Sequence, residues 1–228
     1  MPGLTYDRLL ADALRTDPSG PFLTFYDDAT GERVELSLTT LANWVAKTAN
    51  LLVDEFDLEP GESVGVALPP HWQTAVVLLA VGVAGGVVTG HGDGSAASSA
   101  DGPRIAFYAE GDAVPDVEEK IGLGLRPLGG GMREPVPGVL DYAREVPTHG
   151  DTFVPTVPAP VPAVDGLTDR LLTTSLDPLV ALLVGGGSLV LCRHPAEDKL
   201  ADRAATERAT ASWGVDVDGL PRRDRPTA

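Results

Sequence analysis

The stretch that decides the fold runs from Leu38 to Val88, "LTTLANWVAKTANLLVDEFDLEPGESVGVALPPHWQTAVVLLAVGVAGGVV". Leu41, Trp44, Val45, Thr48, Leu51, Leu52 and Phe56 recur at helical spacing, so the first third is a helix with one apolar face. Ser37 is its N-cap, because a serine hydroxyl can accept from a free backbone N–H of the first turn. Glu59-Pro60-Gly61 stops the chain before a strand, Ser63 to Leu68. Pro69 and Pro70 then open a second helix, as proline suits a first turn. From Thr74 to Val83 that helix is apolar nearly all round, which predicts burial. Gly85 and Gly86 end it before a strand at Val87 to Gly90.

The same alternation extends outward. Leu4 to Arg15 reads as a helix, and Pro21 to Asp27 with Arg33 to Leu38 as a hairpin turning at Asp28, Thr30 and Gly31. Arg104 to Glu110 is a strand, "DAVPDVEEKIG" (Asp112 to Gly122) carries a short helix, and Gly90 to Gly102 is loop by composition. Pro155 to Gly166, "PTVPAPVPAVDG", is an extended strap or linker. Beyond it come a strand (Asp169 to Ser175), a short buried helix in "DPLVALLVGGG", a strand (Ser188 to Arg193) and an amphipathic helix from Glu197 to Ser212. Strands alternating with helices predict an α/β fold, a layered sheet of mainly parallel strands with helices on both faces. Residues 1–218 form one domain with a sub-lobe break within 150–168, and 219–228 form a tail.

Composition narrows the function. The net charge of −16 would repel a phosphate backbone and argues against nucleic-acid binding. No apolar run reaches membrane-span length, and "MPGLTYDRLLADALRTD" has no signal-peptide pattern, so the expected location is the cytoplasm. A single cysteine, Cys192, rules out an intrachain disulfide.

Leu36 to Val88 resembles the N-terminal region of adenylate-forming enzymes, the acyl-CoA synthetases, luciferases and peptide-synthetase adenylation domains. Glu59 to Val64 stands for their "GD-V" step, Leu68-Pro69-Pro70 for the strand end, and Ala84 to Val88 for the glycine turn. Asp169 to Ser212 is similar to the stretch that follows the phosphate loop in that superfamily. The two matches keep the family order and cover under half the chain. The chain also resembles a group of short bacterial proteins with this truncated layout. The resemblance implies the fold above; it also implies where the chemistry should lie, and there the sequence departs. The family's Ser/Thr/Gly-rich loop, which ends in Pro-Lys-Gly, presents backbone N–H groups and a lysine to ATP phosphates. Here the corresponding region is the proline-rich strap, with no lysine and with N–H donors removed. Thr174 to Pro178 replaces the family's aromatic-His step, and the nucleotide-binding and C-terminal lysine motifs would fall beyond Ser212.

No other pattern supplies catalytic residues. "GHGDGS" and "GLGLRP" fail the dinucleotide fingerprint at Ser95 and Pro127, and no Gly-Lys step exists for a Walker loop. His71, His91, His149 and His194 show no metal-ligand spacing; His91-Gly92-Asp93 and His149-Gly150-Asp151 read as turn chemistry. Cys192 and His194 would share one face of a strand, a Cys–His pair with no orienting third group. Thr173, Thr174 and Ser175 are strand-end polar residues without a nucleophile elbow. Asp198, Lys199, Asp202 and Arg203 read as a solvated helix face.

The sequence therefore assigns no catalytic or metal residues, identifies no cofactor-binding residues, and predicts no cofactor. The expected function is a degenerate acyl-CoA synthetase-like protein, a pseudoenzyme acting as a binding or interaction module. The alternative is an AMP-forming acid–CoA ligase with a nonstandard or partner-completed nucleotide site, the one case that calls for ATP and Mg²⁺. A third reading is a small-molecule binder using the crevice at the parallel-strand ends, lined by the loops after Leu68, Gly90 and Ala109. An apolar face left by the missing remainder of the enzyme predicts a homo-oligomer or a protein partner.

Overall fold

A computed structural model describes residues 3–91 and 102–223. The glycine loop "GHGDGS" beyond His91, with Asp93, and the last five tail residues lie outside the described residues. The architecture is α/β with mainly parallel strands and helices on both sides, as the alternation predicts. Among the described residues no helix is long and apolar enough to cross a membrane.

In chain order the elements are α1 (Tyr6–Thr16), β1 (Pro21–Asp27), β2 (Glu32–Ser37), α2 (Leu38–Asp54), β3 (Ser63–Ala67), α3 (Trp72–Ala84), β4 (Val87–Thr89), β5 (Ile105–Ala109), β6 (Glu119–Leu123), β7 (Leu140–Asp141), α4 (Tyr142–Glu145), β8 (Arg170–Thr173), α5 (Leu179–Gly185), β9 (Ser188–Arg193), α6 (Glu197–Thr206), β10 (Ala211–Trp213) and β11 (Arg222–Arg223). They fall into two compact units, each with its own sheet.

The first unit comprises Met1–Leu10, Thr40–Pro69 and Gln73–Pro162. Its sheet runs β4-β3-β5-β6-β7, every pair parallel. β5 is buried along its whole length, as a central strand covered on both faces must be. α3 is buried at every position but Leu78, in keeping with its all-round apolar sequence. The prolines sit ahead of α3 rather than in its first turn: the helix starts at Trp72, and Thr74 Oγ1 donates to the Pro69 carbonyl at 2.7 Å. At Gly82 a Cβ would come within 2.9 Å of the Tyr6 ring, so a helix-weakening glycine is used to admit an aromatic side chain. The short helix expected within Asp112–Gly122 is absent; its C-terminal part is β6, paired with β5 from Glu119 to Leu123.

The second unit comprises Ala11–Thr39, Pro70–Trp72 and Ala163–Ala228. Its sheet runs β11-β10-β8-β9-β1-β2, and only the β1–β2 hairpin is antiparallel. α6 ends at Thr206, six residues before the expected Ser212. Arg208 takes the left-handed conformation at φ 55° and turns the chain into β10. Leu172, Val190, Cys192, Leu200, Ala204 and Val217 form one apolar cluster that joins β8 and β9 to α6. Burial pushes the Cys192 thiol up, against the lowering effect of nearby Arg203.

Polar groups in this unit are concentrated around one carboxylate. Glu207 is 8% exposed; it accepts from Arg33 at 2.9 Å and from Arg170 at 3.0 Å, and it also receives the Tyr26 hydroxyl. Arg170 further donates to Thr24 Oγ1, Ser188 Oγ and the Pro21 and Glu207 carbonyls. Arg203, expected on a solvated face, is instead buried: it grips Asp28 at 2.7 Å and lies 4.1 Å from the centre of the Tyr26 ring. Asp198, Lys199 and Asp202 are exposed, as expected.

Burial alone would raise the Glu207 carboxyl, but Tyr26, Arg33 and Arg170 outweigh it and hold it below the usual range; Arg203 does the same to Asp28. Carboxyls lowered on folding stabilise the fold above their unfolded pKa, roughly 4, and lose that contribution as pH falls through the folded values. Glu207→Ala leaves two guanidinium groups facing a vacated site and is expected to cost about 3–5 kcal/mol in urea unfolding. Glu207→Gln should also flatten the loss of stability between about pH 4 and pH 2. Cys192 should resist an aqueous thiol reagent in the native protein and react within seconds once the chain is unfolded; rapid native labelling would contradict its burial.

Candidate functional site

The first unit has a hollow at the C-terminal ends of two neighbouring parallel strands, the end of an open α/β sheet where ligands settle. Its volume is about 470 Å³, and Tyr108, Glu110, Asp112, Arg126, Met132 and Arg133 are among the residues that line it. Tyr108 is the penultimate residue of β5 and Glu110 follows its last residue; Gly124 follows β6 directly. The strand order places β4 and β5 on opposite sides of β3, so the chain reverses direction across the sheet at β3. The hollow sits one strand over, at β5 and β6.

A glycine-dense turn, Gly122 to Met132, builds the wall. A Cβ at Gly124 would lie 2.7 Å from the carbonyl oxygens of Gly130 and Gly131. The turn therefore folds back on its own backbone at a distance that no side chain permits. Leu125 and Leu128 are held at φ 44° and 62°, costly for branched side chains, and Leu128 is 93% exposed. Two carboxylates fix the turn. Glu110 accepts from the backbone N–H groups of Arg133 at 2.6 Å and Glu134 at 3.0 Å. Asp141 accepts from the Met132 N–H at 3.1 Å and caps α4 through the Ala143 N–H at 3.1 Å. Arg126 ties back to the Gly131 carbonyl at 3.1 Å.

The group with unspent chemistry is Tyr108. Its side chain is 2% exposed, and its hydroxyl has no hydrogen-bond partner among the described residues. Burial, then the Glu110 charge, pushes its phenol up, so it is a neutral donor and acceptor. A buried unpaired hydroxyl costs free energy that a ligand's polar group would recover. The hollow thus has an apolar wall from Val114, Met132 and Val136 and charges of both signs among its lining residues, with Tyr108, whose hydroxyl is buried, also in its lining.

The sequence predicts that the loops after Leu68, Gly90 and Ala109 line a crevice at the strand ends. The loop after Ala109 lines the hollow; the loop after Leu68 does not, and most of the loop after Gly90 lies outside the described residues. The segment from Gly124 to Val136 was missed. The glycines of "GLGLRP" serve close packing, Gly124 against the Gly130 and Gly131 carbonyls and Gly122 against the Met132 side chain, and the run Gly129-Gly130-Gly131 is the sequence signal for such a turn.

The other candidates are dispersed. His71 is fully buried in the second unit, edge-on to Phe25 at 4.6 Å and 3.8 Å from Glu32; burial lowers its pKa despite the carboxylate. His194 takes φ 47° and places Nδ1 2.9 Å from Asp27 Oδ1, while Cys192 lies in the core beside Arg203. Cys192 and His194 therefore make two separate structural contacts. Thr173 and Ser175 close a local turn, Thr173 Oγ1 accepting from the Ser175 N–H at 3.0 Å and Ser175 Oγ from the Asp177 N–H at 3.1 Å. His149 differs, since one of its ring nitrogens lies within 4.8 Å of carboxylate oxygens of Glu55 and Glu145.

Comparison with known proteins places this geometry. No protein-family model matches the chain. Its fold is that of the N-terminal part of acyl-CoA synthetases and ligases. It superimposes on the acetoacetyl-CoA synthetase from Streptomyces lividans with a TM-score of 0.71 at 20% identity, covering 92% of this chain and 42% of that one. The anthranilate CoA ligase AuaEII, solved in complex with anthranoyl-AMP, gives a TM-score of 0.69 at 13% identity, over 94% and 50% of the two chains. The Brucella canis acyl-CoA synthetase gives 0.68 at 14% identity, over 93% and 48%. The chain thus spans about half the length, or less, of these solved enzymes. A TIGR03089 family protein of Mycobacterium tuberculosis (strain ATCC 25618 / H37Rv) is 40% identical over 233 residues, 89% of this chain and 95% of that protein. With that identity over nearly the whole of both sequences, the chain belongs to the TIGR03089 family.

Proposed function

We propose that this chain is a non-catalytic binding module built on the acyl-CoA ligase scaffold, with the hollow at the ends of β5 and β6 as its small-molecule site. The observation that carries the reading is the state of the backbone where the resemblance puts a phosphate loop. In the first unit, Pro155, Pro158, Pro160 and Pro162 carry no N–H, and the Val161 N–H is spent on the Leu4 carbonyl at 2.8 Å. The Tyr6 N–H returns to the Ala159 carbonyl at 3.1 Å, so the strap serves as a tie for the N-terminal segment. In the second unit, the Leu167 N–H donates to the Ala181 carbonyl at 2.8 Å, and a Cβ on Gly185 would lie 2.4 Å from that same nitrogen. A phosphate cradle needs several N–H groups converging on open space. Here four N–H groups are missing, those of Val161 and Leu167 are already engaged, and no lysine is present, which supports binding without adenylation.

Titration calorimetry of the purified chain with ATP and Mg²⁺ tests this. No saturable heat up to millimolar ATP is expected; one-site saturation would overturn the reading and favour a ligase with a nonstandard nucleotide site. Tyr108→Phe removes a hydroxyl with no internal partner, so its melting temperature should equal or exceed that of the parent chain. A loss of several degrees would mean that the hydroxyl is satisfied within the protein and not held for a ligand.

A further inference from the structure

We propose that Glu55, Glu145 and His149 form a binding site for a divalent transition-metal ion, with Zn²⁺ the ion that their donor set fits. One ligand atom from each residue lies within 4.8 Å of the other two. An imidazole with two carboxylates is a three-ligand set that zinc accepts, with the fourth position left to water or to a further carboxylate. Asp54 Oδ2 lies 3.8 Å from His149 Nδ1, the side of the ring that faces a carboxylate when Nε2 carries the metal. Zinc bonds of about 2.0–2.2 Å put tetrahedral ligand atoms about 3.4 Å apart, so the cluster must close by roughly 1.4 Å. Glu55 is exposed, beyond the last residue of α2, and a change of side-chain rotamer covers that distance.

A second observation points to the same ion. The His149 side chain is only 9% exposed, and its Nε2 is buried with no hydrogen-bond partner among the described residues. A buried imidazole nitrogen left unpaired costs free energy that a metal bond would recover. The carriers are also fixed. Lys47 Nζ donates to the His149 and Pro147 carbonyls, and Asn50 Nδ2 donates to those of Gly150 at 2.8 Å and Thr152 at 3.0 Å. α4, which ends in Glu145, is capped by Asp141 and joined to α2 through Tyr142 and Thr48 at 2.7 Å. One turn of α2, Lys47 to Asn50, thus holds the backbone that bears two of the ligands.

Charge supports a cation there. Asp54 and Glu55 lie at the C-terminal end of a 17-residue helix whose last turn has no basic residue. The helix dipole is negative at that end and disfavours carboxylates, and a bound cation reverses the sign. Among the described residues Lys47 makes no ion pair with these carboxylates; its ammonium group donates to backbone carbonyls.

Chelator-dialysed full-length chain titrated with ZnCl₂ in a calorimeter should show one saturable site. His149→Ala and Glu55→Gln should each weaken binding by about 10-fold or more. Glu55 is exposed and its replacement cannot unfold the chain, so that variant keeps the result interpretable if His149→Ala is poorly folded. No saturable heat up to millimolar Zn²⁺, or an affinity unchanged in Glu55→Gln, would overturn the site.

Discussion

A single buried carboxylate organises the second unit. Glu207 lies just past α6 and draws guanidinium groups from β2 and β8 and a hydroxyl from β1 to one point. A charge taken out of water survives only when its lone pairs are filled, and here they are filled by groups from three different strands. The pairing order of those strands follows: β8 and β1 flank β9, and Arg170 reaches over Ser188 to Thr24 to complete the set. Arg203 adds a parallel clamp one turn earlier, through Asp28 and the Tyr26 face. These directional bonds lie beside the apolar cluster around Cys192, whose contacts alone carry no direction.

Much of this fold was legible because apolar spacing is a local property. β9 runs from Ser188 to Arg193 as read, since its apolar run is bounded by Gly187 and His194. α2 is set by a periodic stripe over seventeen residues. The misreadings share a cause. β6 begins with Glu119 and Lys120, so an acidic, helix-like composition masked a strand that is fixed by pairing with β5. α6 stops where Arg208 adopts a left-handed conformation without a glycine to announce it, and the alanines that follow suit a helix as well as a strand. Arg203 looked solvated because its partner, Asp28, is 175 residues away.

The candidate hollow was less legible, for a related reason. The crevice at the strand ends follows from a parallel sheet, and the loop after Ala109 was named on that ground. The opposite wall comes from a turn whose glycines admit backbone carbonyls, and glycine spacing does not say which of its uses applies. The comparisons join the two levels: the likeness to solved ligases is one of backbone, while the family relative retains sequence over nearly its whole length.

The edges of the six-stranded sheet bear on solubility. Exposed strand edges template the addition of further strands from other molecules. One edge here is β11, two exposed arginines paired to Asp216 and Asp169. The other is β2, which sets Arg33 and Glu35 side by side along its open flank. Any strand approaching either edge would have to strip water from fixed ion pairs before gaining a backbone hydrogen bond. Charged edge strands of this kind disfavour cross-β growth.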